Sequence, residues 1–222
     1  MSLAIVINTT DKYCDLWDTW YYYFRKWKHD YPVYFLNEKL DVPYDVTQIK
    51  VDIPEKNLWT KKFRESLKQI PEEDVLVMLE DHWIVEPFKD NEFDELYGLF
   101  GAIRADSMRI RQKSDLTTTE PLSDVLSLIR LFWFRLFNHY NFLLPYHLSA
   151  DSKYLISHDP CMWKKSFLLK CIDVDESPWA NEIRGTERTR GQKHNIYHYE
   201  KHWWINAMVK GKLTPEGQKM LI

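Results

Sequence analysis

The sequence contains few cysteines, and their spacing excludes a disulfide framework and a zinc-binding module. Its 222 residues include three cysteines, Cys14, Cys161 and Cys171. An odd number at such wide intervals is not typical of a disulfide-stapled secreted domain. No Cys-x-x-Cys pair is present to bind zinc. The composition therefore favours a reduced, cytoplasmic protein whose stability comes from its core.

Long hydrophobic runs and an excess of positive charge are also absent. No apolar stretch approaches the roughly 20 residues of a membrane-spanning helix, since the longest candidate, 126–137, is interrupted by Arg130 and Arg135. The run Leu3–Ile7 is too short for a signal peptide. A net charge of −3 argues against a nucleic-acid partner. We expect a protein without a transmembrane segment, with contact at a membrane surface as an open alternative.

Apolar side chains are abundant enough for a large core. Hydrophobic residues make up 45% of the chain and aromatic residues 15%. At this length the composition predicts one domain over residues 1–222. We expect a nucleotide-binding half over about 3–106 and an acceptor and catalytic half over about 107–222.

The first half alternates between strand-like and helical patterns. β-branched or alternating runs predict strands, and apolar residues at helical spacing predict helices. The predicted strands are Leu3–Asn8, Pro32–Glu38, Gln48–Asp52 and Asp74–Leu79. The predicted helices are Asp15–Lys28 and Leu58–Ile70. This alternation predicts an α/β fold whose central sheet is mostly parallel and flanked by helices.

Polar residues follow three of these strands. They are the clusters Asn8–Asp11, Asn37–Glu38 and Glu80–His82. Because ligands of α/β sheets bind beyond the carboxyl ends of the strands, we expect these clusters to meet at one edge.

The second half has a less regular pattern. We expect helices over Phe93–Ser107, Leu122–Asn138 and Trp163–Cys171, and a short strand over Tyr154–Ser157. Asp173–Thr186 is predicted to be a loop, and Glu187–His194 a charged turn.

The segment Glu80-Asp81-His82 carries the strongest chemical signal. Carboxylate oxygens suit Mg²⁺ or Mn²⁺, and Mn²⁺ also accepts imidazole. A few protein ligands leave positions open for the phosphates of a nucleotide. A solvated strand end is an equally good reading of this segment alone.

Three motifs resemble those of small GT-A fold glycosyltransferases from bacterial polysaccharide clusters and large DNA viruses. Glu80-Asp81-His82 is similar to the family's Asp-x-Asp motif and its Asp-x-His variant. Residues 154–163 resemble Tyr-Leu-x-Ser-x-Gln-Pro-x-x-Trp, and residues 176–182 resemble Glu-Ser-Pro-Trp-x-x-Glu. The chain departs from the patterns at Glu80 and at Asp159, where the family has Gln. The resemblance implies a transferase that uses a nucleotide-diphosphate sugar and a divalent metal, Mn²⁺ or Mg²⁺.

The resemblance also implies a role for each matching residue. Thr9, Thr10 and Asp11 would hold the base and ribose. Glu80 would reach the ribose or a metal-bound water, Asp81 and His82 would bind the metal, and Lys62 would lie near the diphosphate. Asp159 would contact the donor sugar, Trp179 would line the acceptor site, and Glu182 would be the catalytic carboxylate.

The chemistry of glycosyl transfer fits these residue types. An oxocarbenium-like transition state needs a nearby carboxylate, and the attacking hydroxyl needs a base. Asp175 and Glu176 compete with Glu182 for that role, although a solvated acidic loop explains them as well.

Two further clusters have ordinary structural explanations. His194, His198 and His202 would share one face of a helix, but a mixed aromatic surface is the better explanation. The aromatic and arginine residues of 130–137 favour a core helix over contact with a lipid-linked acceptor.

The sequence leads to three hypotheses for the function. The leading one is sugar transfer to a hydroxyl of a glycan or other acceptor, including a lipid-linked one. A catalytically degenerate nucleotide- or carbohydrate-binding protein is the alternative. A phosphohydrolase or nuclease is the weakest, because its two-metal centre needs carboxylates on several strand ends.

Overall fold

The computed structural model describes residues 2–86, 88–89, 91–111, 119–120, 129 and 144–222. The helix predicted at Leu122–Asn138, with its aromatic and arginine side chains, lies outside these residues apart from Ile129. None of the helices in the described ranges is long and apolar enough to cross a membrane.

The described residues form a large mixed sheet. The strands are β1 (Leu3–Asn8), β2 (Val33–Asn37), β3 (Thr47–Lys50), β4 (Asp74–Met78), β5 (His82–Ile84), β6 (Ser107–Ile110), β7 (Thr119–Glu120), β8 (Tyr146–Leu148), β9 (Cys161–Lys164), β10 (Ile196–Tyr199), β11 (Trp204–Asn206), β12 (Met208–Val209) and β13 (Lys212–Leu213). Nine of them make up the main sheet in the order β3-β2-β1-β4-β9-β6-β10-β8-β7. β5 pairs with β11, and β12 with β13.

The main sheet is mostly parallel, as predicted. β1 to β4 run in one direction, and β6 and β10 are parallel to each other. β9 lies antiparallel between β4 and β6. The strands before and after residue 106 therefore share one sheet.

Helices cover both faces of the sheet. They are α1 (Trp17–Phe24), α2 (Trp59–Leu67), α3 (Glu92–Ala102) and the shorter Lys165–Cys171, Pro178–Ala180, Thr186–Arg190 and Pro215–Met220. Short 3₁₀ helices span Asp11–Leu16 and Lys56–Leu58, and a π turn spans Asn181–Gly185.

The buried strand β1 contributes side chains to a hydrophobic core on each face of the sheet, because successive side chains of a strand point to opposite faces. Ile5 and Ile7 pack in the cluster that contains α1 and α3. Ala4 and Val6 pack in the cluster that contains α2 and the helix Lys165–Cys171. All six residues of β1 are buried, which explains its continuous apolar sequence. The fold is the predicted α/β architecture, with the sheet between two helical layers.

Several predictions for the second half were wrong. Tyr154–Ser157 is not a strand, whereas Cys161–Lys164, predicted in part to be helical, is strand β9. The helix predicted to reach Ser107 ends at Ala102, and Ser107 begins β6. The predicted loop 173–186 turns helical at Pro178, and the predicted turn 187–194 contains the helix Thr186–Arg190. His198 lies in strand β10, so the three histidines do not share a helix.

Candidate functional site

The carboxyl ends of β1, β2 and β4 meet at one edge of the sheet. The three strands are adjacent and parallel, with Asn8 opposite Leu36 and Ile7 opposite Met78. The polar clusters that follow them therefore converge, as the sequence predicted. We call this the carboxyl edge.

Two more strands of the second half reach the same edge. β9 is antiparallel to β4 and β6, with Cys161 opposite both Val77 and Arg109. Asp159, which precedes β9, and Arg111, which follows β6, are therefore next to the end of β4. The edge combines residues from both halves of the chain.

Asp11 organises the loop after β2. Its Oδ1 accepts hydrogen bonds from Asn37 Nδ2 at 2.7 Å and from the Glu38 backbone N–H at 3.2 Å. Its Oδ2 accepts from the backbone N–H groups of Lys39 and Leu40 at 2.8 and 3.0 Å. Burial alone raises the pKa of Asp11, but these hydrogen bonds outweigh it and lower the pKa. Asp11 thus stabilises the loop after β2, and its role in donor binding stays a prediction.

Lys62 is buried instead of facing the open edge. Its side chain is 1% exposed, and its ammonium donates to Glu38 Oε1 at 2.8 Å and to the backbone oxygen of Thr9. Burial lowers the pKa of Lys62, and the Glu38 carboxylate opposes that shift. Lys62 therefore stabilises the loop that contains Thr9. Because its ammonium is buried and paired, it does not fit the predicted contact with a diphosphate.

Thr9 and Glu80 lie beside this pair. The Thr9 hydroxyl accepts a hydrogen bond from Trp17 Nε1 at 2.9 Å. Thr10 precedes the 3₁₀ helix and makes no side-chain capping bond. Burial, reinforced by the adjacent Asp81 carboxylate, raises the pKa of Glu80, while Thr9 and Lys62 lower it. Burial, together with the negative charges of Glu80, Asp81 and Asp15, also raises the pKa of Tyr13.

Asp81 and His82 differ in what they offer a metal. Asp81 Oδ1 is buried without a hydrogen-bond partner among the described residues, and His82 Nε2 lies 4.0 Å from it. This oxygen can therefore accept a cation. His82 Nδ1 accepts the Leu79 backbone N–H at 3.0 Å. In a neutral imidazole the proton is then on Nε2, which leaves no lone pair there for a metal. Asp81 therefore fits the role of a metal ligand. The tautomer of His82 does not fit its predicted role as a second ligand.

Asp159 is fixed as an ionised carboxylate. Its Oδ2 accepts from Arg111 Nη1 at 2.6 Å and from Ser157 Oγ at 2.7 Å. Burial alone raises the pKa of Asp159, but Arg111, Arg109, His82 and Ser157 together lower it to about 2. Asp159, which stands where the motif that residues 154–163 resemble has Gln, is thus negative at neutral pH and is paired with an arginine.

Glu182 lies in the part of the carboxyl edge that the second half of the chain forms. Its Oε1 accepts the His158 backbone N–H at 2.9 Å, and its charge acts on both Arg109 and His158. Ser177 caps the helical segment by accepting from the Ala180 backbone N–H at 3.3 Å, with Pro178 in the first turn. That cap and the π turn after it bring Glu182 to the loop that carries Asp159.

The competing carboxylates Asp175 and Glu176 have arginine partners of their own. Glu176 is 4% exposed and forms a two-bond fork with Arg188, at 3.0 and 2.9 Å. This fork is the largest cause that lowers the pKa of Glu176. Asp175 accepts from Arg64 Nη2 at 2.7 Å. Of the three carboxylates, Glu182 is the one that forms no ion pair within the described residues.

Trp179 is an exposed aromatic side chain close to Glu182 in sequence. It is 56% exposed, and Lys56 Nζ lies 4.2 Å from its ring centroid. An exposed indole is suited to stacking on a sugar ring. The role of Trp179 in the acceptor site stays a prediction.

Sequence reasoning missed several residues of the edge. The added residues are Tyr13, Arg109, Arg111, Ser157, His158 and Asn181. The alternation of polar and apolar residues in Ser107-Met-Arg-Ile-Arg111 was the available signal for the two arginines, although all four residues of β6 are buried. Within the described ranges no cluster of three or more histidine, cysteine or acidic side chains is arranged to hold a metal.

The arrangement separates two chemical tasks. Asp81 offers a carboxylate oxygen without a hydrogen bond, and Arg111, which is paired with Asp159, adds a cation. Together they suit a phosphorylated ligand with its counterion. Glu182 offers a carboxylate on the other side, where a proton acceptor could act. These groups lie at the position where α/β sheets bind ligands.

Comparison with known proteins supports the fold. No protein-family model and no curated protein matches the chain. Among solved structures, S. aureus TarS 1-349 in complex with UDP-GlcNAc is 13% identical with a TM-score of 0.61, over 96% of this chain and 60% of that one. The complex of the same protein with UDP is 15% identical with a TM-score of 0.59, over 92% and 60%.

Another solved structure matches over nearly the whole length of both chains. CMP:2-keto-3-deoxy-manno-octonic acid synthetase complexed with CTP is 12% identical with a TM-score of 0.56, over 99% of this chain and 96% of that one. This chain spans 36–60% of the length of the TarS structures. The similarity shows that the chain has a GT-A-like α/β fold.

Proposed function

We propose that this chain is a glycosyltransferase that takes a nucleotide-diphosphate sugar at the carboxyl edge. It transfers the sugar to a hydroxyl of a glycan or lipid-linked acceptor. The observation that carries the proposal is that the carboxyl edge holds both Asp81, whose Oδ1 has no described hydrogen-bond partner, and Glu182, whose Oε1 accepts the backbone N–H of His158 in the loop that carries Asp159. The fold shared with TarS, whose complexes contain UDP and UDP-GlcNAc, supports it.

The donor is held by the first half of the chain. Thr10 and Asp11, which are partly exposed, would contact its nucleoside, since Thr9 and Glu80 are buried. Asp81 would hold Mn²⁺ or Mg²⁺ beside the diphosphate. When bound, the metal neutralises charge on the departing diphosphate. One carboxylate is enough because Mg²⁺ is often bound by one or two carboxylates together with phosphates and water. Arg111 adds a positive charge close to Asp159 at the same edge.

Glu182 accepts the proton of the acceptor hydroxyl. Among the described residues Oε2 of Glu182 makes no hydrogen bond, so it is available for this task. The acceptor oxygen forms the new bond to the anomeric carbon as its proton moves to Glu182. The old bond to the diphosphate oxygen breaks, and the leaving group departs with that electron pair. The ionised Asp159 accepts hydrogen bonds from hydroxyls of the donor sugar, and Trp179 stacks on the acceptor.

Donor binding is tested by calorimetry with UDP, UDP-GlcNAc and CTP, each with and without Mn²⁺. We expect a nucleoside diphosphate to bind in a metal-dependent manner and Asp81→Asn to remove the metal dependence. Asp175→Asn is the matched control because it also neutralises one carboxylate, in a surface ion pair with Arg64. Equal Mn²⁺-dependent affinity in Asp81→Asn and the parent would show that Asp81 does not hold the metal.

Nucleotidyl transfer is a second candidate. It is favoured by the match to 96% of a synthetase chain in a complex with CTP. The products distinguish the two reactions, since sugar transfer releases a nucleoside diphosphate and nucleotidyl transfer releases pyrophosphate. Metal-dependent donor binding without either product would instead support a degenerate binding protein.

A further inference from the structure

Asn181 is a fully buried amide with both ends in hydrogen bonds. Its Nδ2 donates to the backbone oxygen of Cys171 at 2.8 Å and to Glu176 Oε2 at 3.3 Å. Both partners can only accept, so the orientation of the amide is determined. Its Oδ1 is left facing His158 Nε2 at 3.1 Å.

The tautomer of His158 follows from this contact. Because Asn181 Oδ1 can only accept, His158 Nε2 carries the proton and donates it. Burial lowers the pKa of His158, so the ring stays neutral at pH 7. The ring also packs edge-on against Trp59, with centroids 4.5 Å apart. The position of the His158 side chain is thus fixed from two sides.

The backbone of the same residue holds Glu182. The His158 N–H donates to Glu182 Oε1 at 2.9 Å. Asn181 therefore holds the ring of His158, and the backbone N–H of His158 holds the carboxylate of Glu182, the residue that follows Asn181. This closed set of contacts links the 157–159 loop to the helical segment.

The π turn makes this arrangement possible. It places Asn181 in the interior while Glu182 remains partly exposed. Gly185, which ends the turn, leaves room for the amide, since a Cβ there would lie 3.3 Å from Asn181 Nδ2. Insertions of this kind in helices are frequent at functional sites.

We propose that Asn181 and His158 are positioning residues for Glu182. They hold its carboxylate at the carboxyl edge so that it meets the acceptor hydroxyl in a reactive geometry. This inference rests on the proposed role of Glu182 as the base. Both residues occupy positions that the family motifs leave unspecified.

The expected effect is a loss of rate without a loss of donor binding. A displacement of about 1 Å at a reacting group can cost roughly 10²-fold in rate. We expect Asn181→Ala to lower kcat by about 10- to 100-fold and to change donor affinity by less than about twofold. The rate is the release of nucleoside diphosphate from the donor that calorimetry identifies.

A double-mutant cycle separates positioning from general support of the fold. If Asn181 acts through Glu182, then Asn181→Ala should have little further effect in a Glu182→Gln background, because effects on one unit are not additive. A merely structural residue would lower the rate by the same factor in both backgrounds. Equal loss in both backgrounds, or no loss in either, would overturn the inference.

His158 supplies the conservative test if the buried Asn181→Ala variant does not fold. The Nε2 of Gln can take the place of the imidazole Nε2 and donate to Asn181 Oδ1, whereas Leu cannot. We expect His158→Gln to keep most of kcat and His158→Leu to lose it, with equal donor affinity. Equal rates for these two variants would contradict the proposal.

Failure of the proposed function gives a different result. If Glu182→Gln alone releases nucleoside diphosphate at the parent rate, Glu182 is not the base and the inference falls with that role. If Glu182→Gln is slow but the Asn181 and Glu182 effects multiply, only the positioning role is wrong.

Discussion

At the scale of single residues, the carboxyl edge is shaped by how each charge is compensated. Lys62 and Glu38 are both nearly buried and neutralise each other at 2.8 Å. Asp159 is matched by Arg111, whereas Asp81 keeps a buried oxygen without a described hydrogen bond, 4.0 Å from His82 Nε2. Buried carboxylates are costly unless they are paired. The unpaired oxygen is therefore where an external cation would gain most.

The low pKa of Asp159 predicts a pH-dependent contribution to stability. Its folded pKa is about 2, below the usual value near 3.9 for an unfolded Asp. The stabilisation is thus fully present above about pH 4 and is lost as the pH falls toward 2. We expect Asp159→Asn to lower the free energy of unfolding by about 1–2 kcal/mol at pH 7.

Urea unfolding of the parent and of Asp159→Asn at several pH values checks this prediction. The difference between the two proteins should shrink as the pH falls from 5 to 3. A difference that stays constant over this range would mean that the carboxylate charge does not contribute to stability.

Glu182 gives a second prediction at the residue scale. A general base contributes about 10²–10⁴-fold in rate, and Glu182→Gln keeps the shape of the side chain while removing its basicity. We expect kcat to fall by that factor while donor affinity changes little. Asp175→Asn and Glu176→Gln serve as controls in the same assay. Loss of turnover in Asp175→Asn with full activity in Glu182→Gln would move the base to the upstream loop.

At the scale of elements, the helix Pro215–Met220 packs closely on the strand region before it. A Cβ on Gly217 would lie 2.5 Å from the backbone oxygen of Ala207. Because a backbone oxygen cannot rotate away, the helix would have to move. Gly191, after the helix Thr186–Arg190, has no atom within 4 Å of such a Cβ and has a φ of −87°.

These two glycines form a matched pair for a stability test. We expect Gly217→Ala to destabilise the protein by about 1–3 kcal/mol, as overpacking does. Gly191→Ala should be neutral or stabilise by up to about 1 kcal/mol, because alanine restricts the unfolded chain. Denaturant midpoints of the two variants measure this contrast. Similar midpoints would show that the packing of Gly217 on Ala207 is looser than the structure indicates.

The elements also show which parts of the fold the sequence could predict. β1, β2 and β4 are marked by apolar runs with polar ends, so their shared edge followed from the parallel arrangement. The helical segment 178–190 lacks such a signal. It buries the polar Asn181 and Thr186 and exposes Trp179 and Ile183, which reverses the pattern of an amphipathic helix.

The site was predictable to a similar extent. Motif resemblance located the segments of Asp81, Asp159 and Glu182, all of which the structure brings to the carboxyl edge. The partners of these residues depend on tertiary contacts, so the sequence did not reveal them. Arg109 lies on the four-residue strand β6, and a strand that short gives a weak period. The burial of Lys62 likewise depends on Glu38, which is 24 residues away.

At the scale of the whole molecule, one sheet connects the two parts of the candidate site. β4 belongs to the first half of the chain, and β9 and β6 to the second, yet they are adjacent in the main sheet. A nucleotide alone would contact the loops after β1, β2 and β4. The sugar attached to it would extend toward Asp159 and Glu182. A donor analogue should therefore affect more of the edge than its nucleoside diphosphate does.

Amide hydrogen exchange can measure this difference. We expect UDP with Mn²⁺ to slow exchange in residues 9–12, 37–40 and 79–82, because a ligand that binds only the native state suppresses local opening. UDP-GlcNAc, or the donor that calorimetry selects, should protect 157–159 and 181–184 as well. The segment 70–74, which leads into the amino end of β4 and so lies at the opposite end of that strand from the carboxyl edge, serves as an internal control and should exchange at the same rate in all samples. Protection of 157–159 and 181–184 by the nucleoside diphosphate alone would place the diphosphate, and not the sugar, beside Asp159. Protection confined to the first three segments with every donor would separate Glu182 from the bound sugar and contradict its proposed role.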